Sequence, residues 1–239
     1  MALKSLCQIG VLNMRAGFLK TFVLTSVSLL LVSCSSQSTT TAGSDASGGT
    51  ATAPEQRKEG SKFIEAAYNL RSQNKLPESL VEIDKAVEKD KNNYYAWQLR
   101  GDINSVMNKT EDAIEDLKKA IELKPDLAVL YYTKAKYEGQ ARKFDDALKD
   151  AEQAVKLEPK NLEYVYMRAS GYAIAQQYKK AIADATVVID GNPKHRLAYR
   201  LRSVCYFKSG DKKRSAADDR MYQKLAQADA RVIPVTGVQ

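Results

Sequence analysis

The chain has 239 residues, 28% of them charged and 44% hydrophobic, with 37 Lys and Arg against 29 Asp and Glu. This composition excludes a collagenous or wholly disordered chain, and three Cys exclude a disulfide scaffold. Twelve Gly and six Pro are too few for the turns of an ordinary all-β protein, and one His with no Cys beside it leaves no zinc ligand set. No metal or cofactor is expected.

Residues 1–33 carry Lys4, Arg15 and Lys20 and no acid, and they end in the apolar run Thr21–Val32. Basic residues, a short apolar segment and small residues beyond it describe an export signal, and the run is too short to span a bilayer as a helix. Met1 and Met14 both fit as its start. The sequence Leu31-Val32-Ser33-Cys34 resembles the bacterial lipobox. That resemblance implies cleavage before Cys34, a lipid on its sulfur, and a place on the bacterial cell envelope. Ser35 after the Cys fits the outer membrane. A cytoplasmic protein whose leader has been misread is the alternative.

Residues 34–57 are rich in Ser, Thr, Gly and Ala and nearly without apolar bulk. Such a segment cannot bury enough surface to offset chain entropy and is expected to be a flexible linker. Cys7 leaves with the leader and Cys34 is alkylated, so Cys205 remains alone, as a small buried apolar residue inside a helix.

From residue 58 to 229 the chain repeats itself. Pro125, Pro159 and Pro193 are 34 residues apart, each after a similar approach such as Ala-Ile-Glu-Leu-Lys-Pro125. With this Pro as position 32, units start at Gly60, Tyr94, Ala128, Leu162 and Arg196. Position 8 is small (Ala67, Gly101, Ala135, Ala169, Ser203), and so is position 20 (Ser79, Ala113, Ala147, Ala181, Ser215). Position 4 is bulky: Phe63, Trp97, Tyr131, Val165, Tyr199. The apolar spacing between these positions is that of amphipathic helices, and a Pro closes each second helix. On these residues the region is identified as a member of the tetratricopeptide repeat family. The resemblance implies an all-α solenoid of about five helix-turn-helix units in a right-handed superhelix. The end units depart from it, with Lys91 and Gln227 where Pro belongs. Residues 230–239 are expected to be a flexible tail.

The family's Leu at position 7 is replaced by Arg100, Lys134, Arg168 and Arg202, and position 23 of the same units holds Asp116, Asp150, Asp184 and Asp218. A basic residue and an acid recurring together predict an inter-helix ion pair, preferred over a charged ligand ladder because charges near helix interfaces are usually paired. Asp145 and Asp146 open a second helix, where they favour its positive end. His195, in an inter-unit turn, is expected to face solvent. The sequence holds no phosphate-binding Gly-rich loop, G-x-S-x-G elbow or H-E-x-x-H motif.

In the family the first helices line a concave face. Carried over, this face holds Tyr68, Tyr95, Gln98, Asp102, Tyr132, Lys136, Tyr166, Ser170 and Arg200, with Ile64, Ile174 and Val204 beside them. Its tyrosines form either a peptide platform or a set of rings packed across the groove. The family's carboxylate clamp is absent, since its positions hold Gln98 and Asp102, or Tyr132 and Lys136. Residues 194–227 contain 10 basic and 3 acidic residues, whereas 60–193 contain 21 and 22. Arg196, Arg200, Arg202, Lys208, Lys212, Lys213 and Arg214 thus form a basic cap suited to an acidic protein or an anionic envelope surface. Nucleic acid is not expected, given the export signal. The expected function is non-enzymatic: a lipid-anchored scaffold that binds a protein or peptide. A helical envelope enzyme or small-molecule binder is the alternative.

Overall fold

The structure, a computed structural model, describes residues 54–232, and side-chain surroundings for 60–228. The leader, Cys34 and the linker up to residue 53 lie outside the described residues, as does the tail from residue 233. Among the described residues there are ten helices and no strand: α1 (Pro54–Ser72), α2 (Leu76–Lys89), α3 (Tyr94–Val106), α4 (Thr110–Leu123), α5 (Ala128–Gln140), α6 (Phe144–Leu157), α7 (Leu162–Ile174), α8 (Tyr178–Gly191), α9 (Arg196–Lys208) and α10 (Lys212–Val232). Each odd-numbered helix packs chiefly on the next, and each pair on the following pair. Two boundaries differ from expectation. The first helix starts at Pro54, inside the expected linker, and α10 runs to Val232, into the expected tail.

The hairpins close where the sequence places its small residues. Ser79 Oγ donates to the Ala67 carbonyl at 2.6 Å, and the Ser203 and Ser215 hydroxyls are 3.2 Å apart, so positions 8 and 20 touch. A Cβ added at Gly101 would meet the Ala113 carbonyl oxygen at 3.1 Å. Position 4 joins the units: Trp97 packs against both the Ile83/Leu99 cluster and the Leu117/Leu130 cluster. Its indole N–H donates to the Lys91 carbonyl at 2.8 Å, and Tyr131 likewise donates to the Pro125 carbonyl at 3.1 Å. A ring that is apolar in body and polar at one edge fills the seam and satisfies a turn carbonyl at once.

The ends of the helices are set locally. Asn93 and Asn161 cap α3 and α7, accepting from backbone N–H groups of the first turn. His195 does the same for α9 through Nδ1, which accepts from Ala198 N–H at 3.1 Å. This His is half-buried rather than facing solvent, because the capping bond turns the ring inward. At position 15 the first helices end in a left-handed residue: Asn74, Asn108, Arg142, Gln176 and Gly210, with φ of 60, 61, 62, 59 and 87°. The next N–H then reaches back to the first helix, as from Lys109 to the Asn104 carbonyl at 2.8 Å.

The position-7 and position-23 charges pair across each hairpin. Asp116 accepts from Arg100 at 2.6 Å, Asp184 from Arg168 at 2.8 Å, and Asp218 from Arg202 at 2.8 Å; Asp150 accepts from Lys134. Arg100 also donates to Asp84 at 3.1 Å and Arg202 to Thr186 at 3.0 Å, both in the preceding unit. The bonds to Asp184 and Asp218 hold the Arg168 and Arg202 guanidinium groups above their ordinary value. The acids are nearly buried, so removing one of these arginines leaves an uncompensated charge, at a cost of about 3–5 kcal/mol.

Candidate functional site

The first helices α1, α3, α5, α7 and α9 carry the residues carried over as a groove, and these separate into two groups. Tyr68 on α1 and Tyr95 on α3 are 51% and 42% exposed, unusual for rings of that size. Asp102, close enough to act on Tyr95, accepts a hydrogen bond from the Tyr137 hydroxyl, and Arg71 and Lys136 both attract its carboxylate. Burial holds the Asp102 carboxyl above its usual range, against the pull of Tyr137 and the two cations. Burial also raises the Tyr95 phenol, reinforced by Asp102 and Tyr68. Gln98 is half-buried between them in sequence, and the Lys136 ammonium stands 5.8 Å from the Tyr137 ring.

In the later units the tyrosines are used for packing. Tyr132 donates to Glu163 at 3.1 Å, and its ring lies 5.0 Å from that of Tyr164. Tyr166 is only 7% exposed and tilts against the His195 ring at 4.7 Å. The buried Ser170 hydroxyl donates back to the Tyr166 carbonyl at 3.0 Å. Arg200 donates to Asp219 at 3.0 Å and lies over the Tyr222 ring. Tyr132 and Tyr166 are thus packed on a nearby Glu, Tyr or His, whereas Tyr68 and Tyr95 are exposed. Ile64, Ile174 and Val204 are half-buried.

Two members of this site were not singled out in the sequence, Arg71 at position 12 and Tyr137 at position 10. A usable signal exists. Tyr137 meets Asp102 across 35 residues, and Ser105 donates to Gln140 across the same separation at 3.5 Å. A spacing one greater than the repeat marks side chains that bridge neighbouring first helices.

The seven residues of the expected basic cap also divide. Arg202 is bound to Asp218, Arg214 to Asp211, and Arg200 to Asp219, while Arg196 lies 5.7 Å from the Tyr222 ring. These four arginines thus each have a partner inside the last unit. Lys208, Lys212 and Lys213 are exposed. Cys205 is fully buried, and burial pushes its thiol up to about 12, far from a reactive thiolate. A cleft of about 300 Å³ lies between α4, α5 and α6, lined by Lys118, Lys134, Glu138, Lys143 and Asp150 among others. Among the described residues no three His, Cys, Asp or Glu are grouped to hold a metal ion, and no helix is long and apolar enough to cross a membrane.

Comparison with known proteins agrees with this geometry. Residues 94–127 and 132–190 each match a tetratricopeptide repeat model. No curated protein sequence matches. Among solved structures, a MamA protein superimposes with a TM-score of 0.67 at 18% identity, covering 76% of this chain and 99% of that one. MamA from Desulfovibrio magneticus RS-1 gives 0.65 at 14% identity, covering 73% and 97%. YrrB, described as a TPR protein with an unusual peptide-binding site, gives 0.64 at 21% identity, covering 74% and 95%. The chain carries tetratricopeptide repeats, and its fold is an all-α tetratricopeptide solenoid.

Proposed function

We propose that this tetratricopeptide solenoid is a non-enzymatic docking protein, tethered to the bacterial cell envelope through a lipid on Cys34, that holds an extended segment of another protein. The segment lies along α1, α3 and α5. The observation that carries the reading is the pair of exposed phenols, Tyr68 and Tyr95, on a face whose other tyrosines are packed. Large rigid rings gain contact area at little cost in side-chain entropy, and each hydroxyl can bond a peptide group. Asp102 and Tyr137 near Tyr95 already satisfy one another, so this part of the face is held in place before a ligand arrives. YrrB's peptide-binding site supports the assignment of peptide as the ligand class. The tether rests on the basic leader, its apolar run and Leu31-Val32-Ser33-Cys34.

The test is crosslinked capture from cell envelopes with the Tyr68→Ala/Tyr95→Ala variant. Because both rings are exposed, its thermal melt stays within a degree or so of wild type, while the captured partner falls by about tenfold or more. Equal capture by wild type and variant contradicts the groove. Globomycin, which blocks the lipoprotein peptidase, separately tests the tether: precursor accumulates if Cys34 is the lipid site.

A further inference from the structure

The stack has two edges, one formed by the turns inside units and one by the turns between them. On the first edge, the opening turn of each second helix changes sign along the chain. It holds Glu78 in α2, Glu111 and Asp112 in α4, and Asp145 and Asp146 in α6. In α8 and α10 the first turn has no acid and instead carries Lys179 and Lys180, then Lys212 and Lys213. Cations at a helix N-terminus oppose its dipole, so these lysines do not serve the stability of their own helices.

Lys180 stands 5.0 Å from the Tyr172 ring with Asp184 one turn on, but Lys179, Lys212 and Lys213 have no acid one turn further along their helices. In units one to three, surface lysines find acids nearby: Glu82 with Lys85 at 2.7 Å, Glu115 with Lys118 at 2.6 Å, Asp146 with Lys149 at 3.2 Å, and Glu111 with Lys143 of the next unit. One turn beyond Lys179, Lys212 and Lys213 stand Ile182, Ala183, Ser215, Ala216 and Ala217, none of them acidic. The acids of the last two hairpins are largely engaged elsewhere. Asp184 and Asp218 hold the internal arginines, Asp219 holds Arg200, and Asp211 caps α10 and binds Arg214. The Glu111–Lys143 pair shows that this turn in one unit reaches the same turn in the next, so the α8 and α10 lysines are neighbours on the edge. At the end of α9, next to Lys208 in the chain, the Phe207 ring is 51% exposed.

We infer that this edge of units four and five, formed by Lys179, Lys180, Lys208, Lys212, Lys213 and Phe207, docks a short acidic segment of a partner protein with an apolar side chain among its acids. The size of the patch selects that occupant. It spans two units and stops at Asp145 and Asp146 on the same edge. A long nucleic acid or a flat anionic membrane would bring its negative charge against Asp145, Asp146, Glu111 and Asp112. A short segment fits between. The surface is separate from the tyrosine face of α1 and α3.

The experiment uses the full chain and a fluorescein-labelled oligoglutamate peptide with a central Phe, followed by anisotropy at low and physiological salt. Wild type binds, and salt weakens binding. The Lys179→Glu/Lys212→Glu/Lys213→Glu variant binds about tenfold more weakly or worse, yet melts at the same temperature or higher, because acids suit a helix N-terminus. Tyr68→Ala/Tyr95→Ala binds the peptide as wild type does, so the two surfaces fail independently. Equal binding by wild type and the lysine variant overturns the inference. So does a lysine dependence seen with oligothymidylate or phosphatidylglycerol vesicles and not with the peptide. A wild-type dimer in sedimentation that the lysine variant disrupts also overturns it, since a second copy would then occupy the edge.

Discussion

At position 7 units two to five make different use of their cation. Arg100, Arg168 and Arg202 meet a buried acid through a planar fork, and position 11 beside them is Asn104, Tyr172 or Tyr206. Unit three has Lys134 and, at position 11, Glu138, so one ammonium serves both Glu138 and Asp150. Glu138 is 3% exposed, and its Oε2 has no hydrogen-bond partner. Burial pushes its carboxyl up to about 7, against the opposing pull of Lys134 and with Asp150 adding to the rise. In the unfolded chain the same group ionises near pH 4.3 (about the ordinary Glu value). The folded state therefore holds the proton more tightly. The stability this adds is complete below about pH 4.3 and is lost as pH rises through about 7. Glu138→Gln mimics the protonated side chain. Its stability relative to wild type is expected to rise between pH 5 and pH 8, by an amount on the order of 2–3 kcal/mol. Thermal melts of the two proteins across that range check it, and a pH-independent difference contradicts it.

Among the elements, the turn inside each hairpin holds energy that can be recovered. Five units place position 15 at positive φ, but only the last uses Gly; Arg142 and Gln176 hold a Cβ in a conformation that costs an L-residue about 1–2 kcal/mol. Gln176→Gly is expected to stabilise the fold by about 0.5–1 kcal/mol, after the greater unfolded-state entropy of Gly is subtracted. Gly210→Ala is expected to destabilise it, although a Cβ there meets nothing within 4 Å, because only the backbone angle is at issue. Urea unfolding of both variants checks the pair. These turns also show where reading the sequence stops. The contact of positions 8 and 20 and the Arg–Asp pairing were legible because each follows from one residue type recurring at one spacing. Position 15 reads Asn, Asn, Arg, Gln, Gly, which carries no common side-chain signal, since the hairpin imposes that conformation. Tyr132 and Tyr166 looked equivalent to Tyr68 and Tyr95 for a similar reason. The two packed tyrosines share position 5, where Glu163 or His195 about one repeat on meets the ring, whereas Tyr68 and Tyr95 stand at positions 9 and 2.

Over the whole described region, each hairpin hides the apolar flank of its neighbour, and the order of units makes the two ends unlike. At the last unit, Asp219, Tyr222 and Gln223 occupy the places that the buried Ala185, Val188 and Ile189 hold one repeat earlier. Arg196 and Arg200 cover Tyr222, so stacking ends on a polar face instead of an open apolar one. The first two units leave Tyr68 and Tyr95 exposed, while the last two leave Lys179, Lys208, Lys212 and Lys213 exposed. One array thus presents an aromatic face and a cationic edge.

Photo-crosslinking tests the docking account most directly. A benzoylphenylalanine is placed at Tyr68 or Tyr95, and in a control at Val81, an exposed residue of the second helix α2. In intact cells the account predicts a discrete adduct with one partner from positions 68 and 95 and none from position 81. Adducts of equal yield from all three positions, or from position 81 alone, would contradict it.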